Sequence, residues 1–151
     1  MVEQNPKRKK EQKKEPTRPL PKTNELDTKA FWAATKDKEF RYQQCNDCGK
    51  VIFYPRRHCT GCTSGNLNWK TASGEGTIYT FSVVRQSYHP FFRNLVPYAV
   101  AWIDLDEGPR ILSNIVGIED PLNDISIGQK VVLEWEEHED LNIPLFRPMG
   151  S

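Results

Sequence analysis

Two Cys-x-x-Cys pairs ten residues apart, a series of β-branched and aromatic runs parted by Gly-containing turns, and one short amphipathic stretch ahead of both predict a mainly β protein. The expected order is a short N-terminal helix, a rubredoxin-like zinc ribbon, and a five-stranded OB-fold barrel. Along the chain this divides into a disordered basic arm over 1–23, the helix over 24–39, the ribbon over 40–70, and the barrel with a C-terminal tail over 71–151.

The arm is read from charge. The 151 residues carry 21 Lys/Arg and 20 Asp/Glu, a formal net charge of +1. Eight of the basic and three of the acidic residues fall within 1–22, leaving thirteen basic and seventeen acidic for the rest: a +5 arm on a −4 body. After Met1, only Val2 and Leu20 interrupt a run of Lys, Glu, Gln, Pro and Thr, so the arm is expected to be disordered. No apolar run approaches the ~20 residues of a membrane span. The N-terminus has charge without the apolar region of a secretory signal. A cytoplasmic protein with no membrane partner is the expectation.

Order is expected from about Asn24, with Thr23 or Asn24 capping a helix that sets Leu26, Ala30, Phe31 and Ala34 on roughly one face. Phe31 and Trp32 supply more aromatic surface than a ribbon needs. They either pack on the body or dock onto a partner.

The ribbon rests on Cys45, Cys48, Cys59 and Cys62. A two-residue gap lets both thiolates of a pair face one centre, and two such knuckles supply a tetrahedral site with metal–sulfur bonds of ~2.3 Å. Gly49 follows the first pair, where positive φ helps close the knuckle. Structural Zn²⁺ is the leading reading; a rubredoxin-type iron centre and a redox or disulfide use of the pairs remain open. Four cysteines close the coordination shell, so the site is a staple rather than a catalytic metal. Between the pairs runs the short β-prone stretch Lys50–Pro55. So small a unit lacks a sufficient core of its own, and metal contributes ~10–16 kcal/mol in comparable modules.

Beyond the ribbon, Leu67–Thr71 leads through Ser73-Gly74-Glu75-Gly76 into the runs 77–84, 98–105, 110–116 and 130–136. With tight turns such as Asp106-Glu107-Gly108-Pro109 and no second helical pattern, these suit a small OB-like barrel. Tyr79, Phe81, Trp102 and Trp135 are expected in its core.

The order of parts is more specific than any one of them. Phe31-Trp32, Cys45-x-x-Cys48-Gly49, Phe53-Tyr54-Pro55-Arg56, Cys59-x-x-Cys62, Gly74-x-Gly76-Thr77, Pro97-Tyr98-Ala99, Asp104 to Arg110 and Pro144-Leu145-Phe146-Arg147-Pro148 together resemble the zinc-ribbon plus OB-fold family of acyl-CoA-associated proteins. The resemblance covers about residues 26–148. It implies a non-catalytic zinc-binding small subunit that completes a thiolase-like catalytic subunit, a thiolase or a thiolase-like aldolase, acting on acyl-CoA thioesters. Degradation of aromatic compounds is one pathway that it suggests. CoA or acyl-CoA would be a ligand shared with that partner. The basic arm is a departure that the resemblance does not explain, and it is expected to act as a tether along an acidic patch of the partner.

The residues themselves agree with an accessory role. With the cysteines committed to metal and no Ser or Thr in a nucleophile elbow, no catalytic residue is assigned. Lys50, Arg56, Arg57 and His58 place positive charge on one flank of the ribbon, suited to the phosphates of CoA or simply to solvent. Tyr88, His89, Phe91, Phe92 and Arg93 lie in the 86–95 loop, where they either close one end of the barrel or anchor the partner. His138 falls in an acidic run read as a solvated edge. The alternative function is single-stranded nucleic-acid binding; the net negative body and the core placing of the strand aromatics argue against it.

Overall fold

The computed structural model describes residues 14–150; the expected disorder of 1–13 lies outside them. Helix α1 spans Lys29–Lys36. The ribbon sheet holds β1 (Arg41–Cys45), β2 (Val51–Ile52) and β3 (Leu67–Thr71) in the order β2-β1-β3. The barrel is built from β4 (Glu75–Val84), β5 (Tyr98–Leu105), β6 (Arg110–Ile115), β7 (Lys130–Glu137) and β8 (Asn142–Pro148). A one-turn helix α2, Pro90–Arg93, stands in the β4–β5 loop.

The first helix starts later than its sequence suggests. Thr28, not Thr23 or Asn24, occupies the N-cap, and it makes no side-chain capping bond. Leu26 is left outside the helix and 78% exposed. What α1 does bury is its aromatic pair: Phe31 meets Trp32, Phe40 and Phe53 edge-on at ring separations of 4.9, 5.4 and 5.5 Å. Behind them Thr35, fully buried, donates to the Trp32 carbonyl (2.6 Å) and accepts from the Asn142 main-chain N–H (3.2 Å). The Asn142 carboxamide in turn donates to the Thr35 carbonyl (2.9 Å). This polar clamp joins α1 to the start of β8.

The barrel closes in the order β4-β5-β6-β8-β7, with all pairings antiparallel except β6–β8. Ala99, Ala101, Ile103 and Leu105 of β5 face inward with Ile78, Ile111, Ile115, Val131 and Phe146. Small residues alternating with larger ones fit the narrow interior of a five-stranded barrel. At Gly76 the strands approach so closely that a Cβ would stand 2.8 Å from both the Asp104 carbonyl and Ile103 Cγ2. Phe31, Trp32 and Phe40 belong to the same buried cluster as the barrel residues, so helix, lower ribbon and barrel share one core.

Three features depart from the sequence reading. The inward phase of β5 turns Trp102 outward, 43% exposed, and a bulge between Ile78 and Thr80 does the same for Tyr79, 52% exposed. Neither ring is in the core. The 86–95 loop contains α2, started by Pro90 and capped by the His89 ring nitrogen, which accepts from the Phe91 N–H (3.2 Å). The C-terminal stretch is a barrel strand rather than a tail. Pro144 and Pro148 hide it in sequence, but both pair with β7 where the register permits, and the Pro144 carbonyl is satisfied by the Ser113 hydroxyl (2.7 Å).

Candidate functional site

The two knuckles repeat one backbone design. Cys45 and Cys59 each donate from N–H to the carbonyl five residues on, Lys50 at 2.9 Å and Ser64 at 2.8 Å. Each also accepts from the N–H four residues on, Gly49 at 2.9 Å and Thr63 at 3.0 Å. The closing residue is left-handed in both, Gly49 at φ 76° and Thr63 at φ 64°. Asp47 ties one knuckle to the other by accepting from the Ser64 hydroxyl and the Asn66 carboxamide, bonds that hold its carboxyl below the usual range.

All four Sγ atoms lie within 4.8 Å of one another, with Cys45–Cys62 and Cys48–Cys59 separations of 3.5 Å. That is far beyond a disulfide bond and close to the ~3.8 Å edge of a tetrahedron with 2.3 Å metal–sulfur bonds. The thiols also titrate apart. Backbone N–H groups of Cys62 and Gly61 pull Cys59 down to about 6. The Ser64 N–H lowers Cys62, but the sulfurs of Cys45 and Cys48 outweigh it and push Cys62 up to about 12. Four thiolates this close need a cation among them, so the donor set fits a tetrahedral dication of the Zn²⁺ type.

A groove of about 490 Å³ runs between ribbon and barrel. Phe53 and Tyr54 form its ribbon wall, Trp102 and Leu112 its barrel wall, and Arg56 and Arg110 bring positive charge. Arg110 is already engaged: it pairs with both Asp104 oxygens (2.6 and 3.1 Å), and its guanidinium carbon lies 3.5 Å from the Tyr79 ring centre. Arg56 is anchored by its main chain, which exchanges bonds of 2.9 and 2.8 Å with the Gln43 side chain, and this exposed residue lines the groove.

The residues expected to bind CoA are all exposed, and Arg56 and Arg57 share a hollow with residues 24–28. Lys50 lies against Gly61, Arg57 pairs with Asp27 (3.0 Å), and His58 lies near Gly65, leaving Arg56 as the one that lines the groove. The expected partner-anchoring set divides similarly. Phe31 and Trp32, at 1% and 8% exposure, are core residues, because α1 packs on the body. Tyr88 is 82% exposed, and Arg93 folds back to donate to its carbonyl (2.8 Å). His89, Phe91 and Phe92 build the α2 turn. Trp102, Leu112 and Tyr79 were missed as surface residues. The small, evenly spaced Ala99 and Ala101 were the available signal for the inward face.

Comparison with known proteins agrees with this geometry. The ChsH2 rubredoxin-like zinc ribbon domain matches residues 32–68, and the ChsH2 C-terminal OB-fold domain matches residues 69–136. The chain belongs to the ChsH2 zinc-ribbon and OB-fold family. A relative from Methanothermobacter thermautotrophicus, described as a DUF35 domain-containing scaffold protein, is 37% identical over 102 residues, 64% of this chain and 74% of its own length. The probable enoyl-CoA hydratase alpha subunit of Thermomonospora curvata is 38% identical over 142 residues, 91% of this chain. The chain spans only 42% of that longer protein. Among solved structures, one titled Ltp2-ChsH2(DUF35) aldolase superposes with a TM-score of 0.74 at 35% identity, covering 87% of this chain and 98% of the other. Among the described residues no helix is long and apolar enough to cross a membrane.

Proposed function

We propose that this ChsH2-family chain is the non-catalytic, Zn²⁺-stapled small subunit of a heteromeric enzyme acting on acyl-CoA thioesters, its partner being a catalytic subunit of the aldolase or thiolase kind. The observation that carries this reading is the correspondence, across 98% of its length, with a chain of a structure titled as an Ltp2-ChsH2 aldolase. The commitment of all four cysteines to one centre supports it, because no thiolate is left over for acyl transfer. The chain would contribute surface rather than chemistry. The aromatic groove, with Trp102 and Leu112 on one wall and Arg56 at its edge, suits a thioester that enters along the subunit boundary. Tyr88 and the α2 loop offer an exposed aromatic contact to the catalytic chain.

The test has two arms. The tagged chain should co-purify a thiolase-fold or aldolase-type subunit from its native source, and Trp102→Ala should reduce recovery without altering the fold. Calorimetric titration with an acyl-CoA should give little heat for the isolated chain and clear binding for the complex. Failure to recover any such subunit would remove the reading. Single-stranded nucleic acid is the second reading, favoured by the outward rings of Tyr79 and Trp102. Against it, Arg110 beside those rings is neutralised by Asp104, and β7 with the turn after it carries Glu134, Glu136, Glu137, Glu139 and Asp140. Salt-sensitive retention of an oligonucleotide, abolished by Trp102→Ala, would favour it instead.

A further inference from the structure

Residues 14–23 contain no helix or strand, yet one of their side chains is deeply engaged. Arg18 reaches the barrel 118 positions along the chain, where its guanidinium donates to both oxygens of Glu136, at 2.5 and 3.0 Å. The same guanidinium carbon lies 5.1 and 5.3 Å from the ring centres of Phe91 and Phe92, which meet edge-on at 86°. Glu136 is itself held, with Oε1 at 2.7 Å from His138 Nε2.

This is not an ordinary surface pair. The Arg41–Glu39, Arg57–Asp27 and Arg110–Asp104 arginines keep 43, 59 and 45% of their side chains exposed, whereas Arg18 keeps 12%. A carboxylate that accepts two parallel bonds and aromatic faces that take a flat cation match guanidinium and not ammonium. Pro16, Pro19 and Pro21 surround the anchor and restrict the free strap, which lowers the entropy lost on seating.

We propose that the cleft between the α2 loop and the β7–β8 hairpin is an arginine-reading peptide site, and that its occupant is the chain's own strap, residues 16–21. Seated, the strap covers Phe91 and Phe92 and bridges the two loops at this end of the barrel. Displaced, it leaves two aromatic faces and a fixed carboxylate free for an arginine of another chain. On this reading the strap is anchored at Arg18 to this chain's own acidic edge.

The full-length protein tests this with Arg18→Ala, Arg18→Lys and the double variant Arg18→Ala/Glu136→Gln. The probes are a fluorescein-labelled peptide of residues 14–22 and the same peptide with alanine at the arginine. Amide relaxation at Thr17 and Leu20 should report a rigid strap in the parent and a flexible one in R18A and R18K. R18A should bind the arginine peptide at least about tenfold more tightly than the parent, where the tethered strap competes at an effective concentration on the order of millimolar. The double variant and the alanine peptide should show no binding. A strap as flexible in the parent as in R18A, a strap still rigid in R18A, or an R18A chain that takes up no peptide or both peptides alike would overturn the proposal. A concentration-dependent dimer lost in R18A would assign the occupant to a second copy and overturn the assignment in cis.

Discussion

Removing the metal should melt the knuckle end of the ribbon and spare the barrel. Among the described residues the apolar cluster around the knuckles contains only Cys45, Ile52 and Cys59, with Leu67 packed partly against it. Phe40, by contrast, belongs to the barrel's core, with Phe53 and Trp69 packed against it. Ordering the ten residues of the two knuckles, 45–49 and 59–63, costs ~10–20 kcal/mol of backbone entropy. Burial of Ile52 returns ~1.5–3 kcal/mol. The four main-chain bonds described above add a net ~0.5–1.5 kcal/mol each. Protein contacts thus fall short by several kcal/mol, within the ~10–16 kcal/mol that a structural Zn²⁺ supplies. Hydrogen exchange of the metal-loaded and fully chelated protein, resolved over 45–66 and over β5–β6, is the assay. Protection should vanish in the first segment and persist in the second. Unchanged protection over 45–66 after complete metal removal would refute the staple; simultaneous loss in β5 and β6 would refute its confinement to the knuckles.

Three further outcomes follow from single contacts. Gly49→Ala should destabilise the metal-loaded ribbon by ~1–2 kcal/mol, read as a lower melting temperature or metal affinity, because φ is 76° there and no atom within 4 Å adds a clash. Thr35→Val should cost ~1–3 kcal/mol in denaturant unfolding, since it strips the acceptor from the buried Asn142 N–H while preserving shape. Burial raises the Glu136 carboxyl, but the bonds from Arg18 and His138 outweigh it and the net direction is down. The folded value therefore lies below the unfolded one. The resulting contribution is complete above the ordinary glutamate range and is lost as pH falls through the folded value, so strap amides should turn flexible only on that acid side. The shift in strap relaxation with pH should disappear in Glu136→Gln.

Local chemistry made the metal centre legible: the two-residue gaps and Gly49 are read without knowing anything distant. The same is true of β4 to β7, whose β-branched runs announce themselves. What escaped depends on partners far along the chain. β1 carries Tyr42 and Gln43 buried side by side, against alternation, because the Gln43 carboxamide is satisfied by the Arg56 main chain. β8 was obscured by two prolines that become tolerable only once the register with β7 is known. Trp102 looked like core because it is large, while the inward positions on its strand are held by the smaller Ala99, Ala101, Ile103 and Leu105. Arg18 sits in a segment whose composition reads as disorder, and its carboxylate partner is 118 residues away.

The split support of the ribbon would give a bound metal a role in shaping the groove. Ile52 lies in the cluster that depends on the knuckles, and the next two residues, Phe53 and Tyr54, form the groove's ribbon wall. The opposite wall, Trp102 and Leu112, stands on barrel strands that carry their own core. Phe53 also packs against Phe31 and Phe40, at 5.5 and 5.2 Å, so its ring is held from the barrel side even while the chain entering it is held from the metal side. Loss of the metal would therefore leave Phe53 anchored by its ring but release the backbone leading to it. Tyr54, 42% exposed, has the weaker hold of the two. A metal bound by the four cysteines would thus act on the groove at Tyr54, through the backbone, without lining it.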